Sequence, residues 1–418
     1  MAGRILLISV LGIIAFGGAF FLLSGEYVVE SGDIVAGSLS TVTPTEAPIP
    51  ELKPLPPPEP VDIENQRPLA NPPEIIKAIY ATGWSAGSAN KINYLIDLIK
   101  TTELNAIVID IKDYSGYVLY DIKIPQVIEY DTRNIQIPMI NKLIKRLHDE
   151  GIYVIARQTI FQDPALVRAR PDLAVKNSIT GEPWEDRNKI TWIDAASREA
   201  WDYNIAIVKD AAIRGFDEIN FDYIRFLSDG DLSVAKFPFY NIETTYKKDV
   251  IRDFFEYLRQ ETEGIKISAD LFGLTTVAYD DLGIGQKIEY AYENFDFVAP
   301  MVYPSHYASG FRGYARPAEF PYEVVFASME GALQKLLAWE NSPVQRQTDP
   351  NLPPPESEKR VGGKLRPWLQ DFDLGATYDA GKVRAQIKAT EEALGEHYAG
   401  FMLWDPRNNY TREALLPE

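Results

Sequence analysis

The run Gly215-Phe216-Asp217-Glu218-Ile219-Asn220-Phe221-Asp222-Tyr223-Ile224-Arg225-Phe226 sets a carboxylate and a guanidinium at the far end of a short apolar stretch. Ile219 and Phe221 alternate with Glu218, Asn220 and Asp222, a period of two that predicts a strand with one face on helices and the other lining a polar interior. Other apolar runs end the same way. Val108-Ile109-Asp110-Ile111-Lys112-Asp113, Ser268-Ala269-Asp270-Leu271-Phe272-Gly273 and Leu403-Trp404-Asp405 each deliver an acid. Tyr303-Pro304-Ser305-His306-Tyr307 and Trp368-Leu369-Gln370-Asp371-Phe372 deliver rings and hydrogen-bonding groups. Several carboxyl groups beside Tyr and Trp suit sugar chemistry. One acid protonates a leaving oxygen, another attacks the anomeric carbon or activates water, and flat rings stack on sugar faces. Asp110, Asp222 and Asp270 would also suit a divalent cation. Against that, only His148, His306 and His397 are present, and only His306 falls at a strand end.

Acids this far apart in sequence meet only if a repeating architecture brings strand ends together. Eight apolar runs read as strands, at Lys77–Thr82, Ala106–Ile111, Tyr153–Thr159, Glu218–Asp222, Lys266–Leu271, Phe297–Tyr303, Lys364–Leu369 and Gly400–Trp404. Helical periodicity fills the gaps at about Lys91–Thr101, Ile137–Asp149, Arg198–Arg214, Lys247–Glu263, Ile284–Asn294, Glu323–Trp339 and Gly381–Leu394. This alternation predicts a (β/α)8 TIM barrel, in which only the carboxyl ends of the strands converge on a shared pocket. The rival, a doubly wound open sheet, wants a phosphate-binding glycine turn, and Ala81-Thr82-Gly83-Trp84-Ser85-Ala86-Gly87-Ser88 lacks the G-x-G-x-x-G spacing. In a barrel that turn puts Trp84 at the mouth, with Ser88 capping the first helix. The long connection from Phe161 to Asp194 falls on the catalytic side and is expected to form a substrate wall. The proline-rich, charged stretch Asn341–Gly363 reads as a disordered insertion on the opposite face.

Each candidate also has a plainer role. Asp110 would equally pair with Lys112 or Arg157, Asp222 with Arg225, and His306 with a loop carbonyl. Trp84, Trp368 and Trp404 would equally be rim packing. Arg157 and Arg225 are expected to orient carboxylates, since a guanidinium fork matches carboxylate geometry.

The chain has 418 residues, 46% hydrophobic, with a net charge of −18 and no cysteine. Disulfides, thiolate chemistry and thiol metal sites are thereby removed, and the charge argues against nucleic acid as a partner. Ile5–Leu23 is almost wholly apolar and follows Arg4; about nineteen such residues just span a bilayer. Leu22-Leu23-Ser24-Gly25 is a poor cleavage site. Residues 1–25 are therefore expected to be a single-pass membrane anchor, or else a signal peptide whose removal would leave a secreted protein. Residues 26–73 read as a proline-rich extracytoplasmic linker and residues 74–418 as the barrel domain.

Ala81-Thr82-Gly83-Trp84, Val108 to Asp113, Phe221 to Phe226, Met301-Val302-Tyr303-Pro304-Ser305-His306-Tyr307 and Arg366-Pro367-Trp368-Leu369-Gln370-Asp371-Phe372 together resemble a bacterial family assigned to the glycoside hydrolases by kinship to amylase-like barrels. The resemblance spans about Lys77 to Asn408. It implies a TIM barrel and hydrolysis of glycosidic bonds. In amylase-like barrels the nucleophilic aspartate closes strand four, which maps onto Asp222. Their acid is a glutamate on strand five, where this chain offers the shorter Asp270, and their strand-seven aspartate is approximated by Asp371. The expected enzyme thus uses Asp222, Asp270 and Asp371 in catalysis. Trp84, Asp110, Asp113, Arg157, Tyr223, Arg225, Tyr303, His306, Trp368, Gln370, Trp404 and Asp405 are expected to line the substrate, a polysaccharide or oligosaccharide, with no metal or cofactor required. Two alternatives stay open: a cell-surface glycan-binding barrel without activity, and a metal-dependent hydrolase using Asp110, Asp222 and Asp270.

Overall fold

Eight parallel strands close on themselves: β1 (Ile76–Ala81), β2 (Ala106–Lys112), β3 (Tyr153–Thr159), β4 (Glu218–Asp222), β5 (Ile267–Phe272), β6 (Phe297–Met301), β7 (Trp368–Gln370, preceded by the two-residue strand Lys364–Leu365) and β8 (Gly400–Trp404). Each pairs with its successor, and β1 bonds to both β2 and β8, so the barrel has no free edge. This is the expected (β/α)8 barrel. The computed structural model describes residues 61–342 and 360–417. The apolar segment at residues 1–25, residues 26–60 of the linker and residues 343–359 of the insertion lie outside them. No helix among the described residues is long and apolar enough to cross a membrane.

Around the strands run α1 (Ala89–Lys100), α2 (Ile140–Asp149), α3 (Arg198–Ile213), α4 (Lys247–Glu261), α5 (Ile288–Asn294), α6 (Pro321–Glu340) and α7 (Ala380–Leu394). Ser88 caps α1, its hydroxyl accepting the Lys91 N–H at 3.4 Å. Gly87, in the turn after β1, lies so close to the short strand Arg133–Ile137 before α2 that a Cβ there would sit 2.0 Å from the Gln136 carbonyl oxygen. Only glycine lets the two segments meet.

The period-two alternation sorts side chains into two cores. Ile79, Ile107, Ile109, Val154, Ile219 and Phe221 face the helices, while Ile76, Ala78, Tyr80, Val108, Tyr153, Ile155, Trp368 and Met402 fill the barrel. The end of the expected linker packs on the domain as well. Asp62 accepts the Asn141 and Lys142 N–H groups at 2.7 and 3.1 Å, covering the exposed donors of α2. Leu69 packs against the inner core, and its N–H donates to Asp217 at 2.5 Å. His148, on α2, is 2.9 Å from that same Asp217 carboxylate and so serves this side of the fold.

Toward the amino ends of the strands the barrel holds one wholly buried ion pair, Glu218 with Arg366. Arg366 donates from both terminal nitrogens, at 3.2 Å to Oε2 and more closely to Oε1, and its guanidinium lies 4.1 Å from the centre of the Phe297 ring. Removing one partner strands the other charge in the core, at a cost of about 3–5 kcal/mol. Arg366→Met is therefore expected to lower stability by that amount in urea denaturation, and Glu218→Gln/Arg366→Met to recover most of it. A double variant no more stable than the single one would contradict the pairing.

Candidate active site

Inward positions of β3 are Tyr153, Ile155 and Arg157, and register sets Arg157 beside Asp110 of β2 and Asn220 of β4. The guanidinium therefore enters the upper barrel already flanked by acids. It donates to Asp110 Oδ1 at 2.6 Å and, more closely, to Asp222 Oδ2, while its Nε lies 3.6 Å from Asp270 Oδ2. All four groups are buried. One cation among three carboxyl groups leaves excess negative charge in a place with little water, and the acids respond. Burial pushes Asp110 up to about 6, against the pull of Arg157 and of the Tyr80 hydroxyl. Burial and then the nearby Asp222 charge push Asp270 up to about 8. Arg157 stays charged because Asp110 and Asp222 outweigh its own desolvation.

Neutral donors complete the cluster. Asp270 Oδ1 accepts the Trp368 indole N–H at 2.7 Å and the Asn220 amide at 2.8 Å. The Tyr80 hydroxyl donates to Asp110 Oδ2 at 2.5 Å. Its ring stacks on Trp404 at 4.0 Å and 16°, and the Arg157 guanidinium lies 5.1 Å from the Trp404 ring centre. The backbone of Tyr80 is held in turn by Tyr410, whose hydroxyl accepts its N–H at 2.9 Å and donates to its carbonyl at 2.6 Å. Tyr303 is buried near Asp270 and Asp222, and its phenol is raised well above its ordinary value by burial and then by those charges. Just past Asp222, Tyr223 adopts φ +54°, a left-handed conformation costly for a residue with a Cβ, while its N–H donates to Asp222 Oδ1 at 2.6 Å.

Of the expected residues, Asp110, Arg157, Asp222, Asp270, Tyr303, Trp368 and Trp404 thus converge. Arg225 does not orient a carboxylate as expected. Asp222 pairs with Arg157, and the Arg225 guanidinium lies 4.7 Å from the ring centres of both Trp192 and Phe272 and donates to the Phe226 carbonyl at 2.9 Å. Cation–π contact replaces the expected ion pair there. Trp192 also meets Tyr223 at 5.8 Å, so the connection from Phe161 to Asp194 borders the site. Lys112 points away from Asp110 and pairs with Asp163 at 2.8 Å, both fully buried.

The remaining candidates hold the loops. Asp371 accepts the Thr411 N–H at 2.9 Å and its hydroxyl at 2.6 Å, fastening the carboxyl-terminal segment; burial pushes its carboxyl up to about 6. Gln370 accepts the Ser305 N–H at 3.2 Å and donates to the Phe372 carbonyl at 2.9 Å. Asp405 accepts the N–H groups of Arg407 and Asn409 at 2.7 and 3.1 Å, and Asp113 those of Ser115, N–H at 2.9 Å and hydroxyl at 2.5 Å. His306 lies beside Tyr303 and Phe372, and burial lowers it to about 4. Trp84 stands at the mouth, 68% exposed.

Tyr80 and Tyr410 belong to the site without having been singled out from sequence, and Asn220, expected only to line the polar interior, donates to Asp270. Tyr80 was accessible to the same reasoning that found Asp222, since Ile76, Ala78 and Tyr80 share one face of β1. Tyr410 carries no local signal. A cation already sits among the three acids that a metal site would need, and among the described residues no group of three or more His, Asp or Glu side chains is arranged to hold a metal ion.

The chain is 38% identical to a hypothetical protein from Ruminiclostridium thermocellum ATCC 27405, over 49% of this chain and 98% of that one, with a TM-score of 0.43. It shares its fold with the glycoside hydrolase domain of PgaB (BpsB) from Bordetella bronchiseptica, at a TM-score of 0.54 and 16% identity over 82% of this chain and 99% of that one. No curated protein sequence matches it. Residues 78–410, nearly the whole barrel, match the family described as "Putative glycosyl hydrolase domain", and the chain belongs to that family.

Proposed function

We propose that this barrel hydrolyses glycosidic bonds in an extracytoplasmic polysaccharide, with Asp222 as nucleophile or base and Asp270 as proton donor. The family's description supports glycoside hydrolysis in general. The observation that carries the finer reading is the contrast between two buried carboxyl groups on neighbouring strands. Asp222 forms the anion of an ion pair with Arg157. Asp270 is pushed up to about 8 by burial and by Asp222, so it holds a proton at neutral pH. Two acids separated in this way can divide the work, one giving a proton to the leaving oxygen and the other acting on the anomeric centre or its water. Asp110, braced by Tyr80 and Arg157, helps fix the guanidinium that orients Asp222. The apolar run Ile5–Leu23 and the proline-rich stretch after it support a membrane-tethered location.

A second reading keeps the barrel as a surface glycan-binding protein. The engagement of Asp222 by Arg157 favours it, because a nucleophile must be released from that pair to react. Reducing-sugar release from a panel of bacterial and plant polysaccharides by the full-length chain decides between them. The hydrolase reading expects Asp222→Asn to lower the rate by about 10²–10⁴-fold without loss of folding. Binding to a glycan with no release, unchanged in that variant, would establish the binding protein instead.

The role of Asp270 makes a separate prediction about pH. A donor acts only while protonated, so kcat/KM is expected to fall as pH rises through about 8. The sign is the same for stability. The folded carboxyl holds its proton above the ordinary value of about 4, so this contribution is complete below that pH and is lost as pH rises through about 8. Asp270→Asn should remove the alkaline limb from the pH–rate profile while sparing aryl glycosides, whose leaving groups need no proton. An alkaline limb unchanged in that variant would assign the donor elsewhere.

A further inference from the structure

Six aromatic side chains among the described residues are more than a third exposed: Trp84, Tyr114, Phe239, Tyr246, Tyr279 and Phe320. All six lie in connections that leave the carboxyl ends of strands. Trp84 follows β1, Tyr114 follows β2, Phe239 and Tyr246 follow β4, Tyr279 follows β5 and Phe320 follows β6. Among the described residues, no helix after its first turn and no connection on the opposite face presents an aromatic side chain of this exposure. The aliphatic residues exposed to the same degree, such as Ile75, Ile213, Leu337 and Val361, include several on helices and on the opposite face.

A flat ring held in water has little packing reason to be there, and confinement of the whole set to one end of the barrel needs a cause. Tyr279 is 92% exposed and Tyr246 71%, so these two rings are platforms, whereas Phe320 stacks on Tyr314 with ring centres 4.4 Å apart. Their backbones are anchored. Tyr246 immediately precedes α4, and the Tyr279 carbonyl accepts the Lys287 ammonium at 3.0 Å. At Phe239 the N–H donates to Asp194 at 2.7 Å, across from the connection after β3. Tyr114 stands two residues past the end of β2, and its carbonyl accepts the Gln162 side-chain amide at 3.3 Å.

We propose that the mouth of the barrel is a binding platform for an extended polysaccharide, whose sugar rings stack on these exposed aromatic side chains to either side of the acid cluster, so that cleavage falls within the chain. The proposal rests on the hydrolase reading for the cleavage and on the rings alone for the binding. The rings are carried on the connections after five of the eight strands, all at the carboxyl face of the barrel, which is more contact than one or two sugars at the acids can use. A pocket acting on chain ends would need no such rim. A protein partner seated on the same rings is the other occupant the test addresses.

The experiment uses the full-length chain and Tyr246→Ala/Tyr279→Ala with soluble xylan, mixed-linkage β-glucan, pullulan, pectin and chitosan. Affinity electrophoresis in each polymer reads binding, and loss of polymer viscosity against appearance of reducing ends reads the position of cleavage. Retardation by at least one polymer is expected, about tenfold weaker in the variant at parental melting temperature, the size of effect that two ring contacts supply. Viscosity is expected to fall well before reducing ends accumulate. Retardation equal in parent and variant, or absent from every polymer while short aryl glycosides are hydrolysed, would overturn the platform and leave the hydrolase reading standing. Retardation that depends on the rings without any hydrolysis would do the reverse. A variant that binds polymer like the parent but loses self-association or a co-purifying protein would assign the rings to a protein contact and overturn the proposal.

Discussion

The charge on Arg157 is the constraint on which the upper barrel depends. Without it, Asp110, Asp222 and Asp270 would crowd like charges into a dry interior, and each would take up a proton or force its strand outward. With it, the three acids become unequal. Two receive guanidinium hydrogen bonds, while the third is met by the indole of Trp368 and the amide of Asn220. Inequality between otherwise identical carboxyl groups is what acid–base chemistry needs, and here it comes from which neighbours carry charge.

The lower barrel uses the same device for a different end. Glu218 and Arg366 neutralise one another completely, with Tyr153 adding a hydroxyl 3.3 Å from the Glu218 carboxylate. The two layers share a strand, since Glu218 and Asp222 sit at either end of β4 with Asn220 between them. A single strand therefore carries both the closed pair of the lower barrel and the unequal acid cluster of the upper one. Amino-terminal layers of such barrels serve stability and carboxyl-terminal layers chemistry, and the pairing of charges marks that division here.

What was legible in the sequence follows the same line between local and distant causes. The eight strands and seven helices were readable because their hydrophobic periods are local, and Asp110, Asp222 and Asp270 were readable because each closes a strand. Arg225 was misassigned because its neighbour in sequence, Asp222, is not its neighbour in space. The left-handed backbone at Tyr223 turns the chain between them, and the aromatic side chains of Trp192 and Phe272 take the guanidinium. Asp371 looked like a third acid of the site, yet its partner, Thr411, comes from 40 residues further on. Contacts that depend on how far a loop returns are invisible to spacing arguments.

The bond between Tyr410 and the backbone of Tyr80 joins residues 330 positions apart, and the first and last strands pair beside it. A chain made from its amino end can lay down β2 to β7 in succession, but the barrel stays open until β8 (Gly400–Trp404) arrives to pair with β1. The tyrosine that holds Asp110 gains its own support only then. Assembly of the acid cluster is thus coupled to the arrival of β8 and Tyr410, contacts of long sequence separation that close after the local ones. Such an order of events keeps a chain that still lacks its eighth strand from holding the three acids in place.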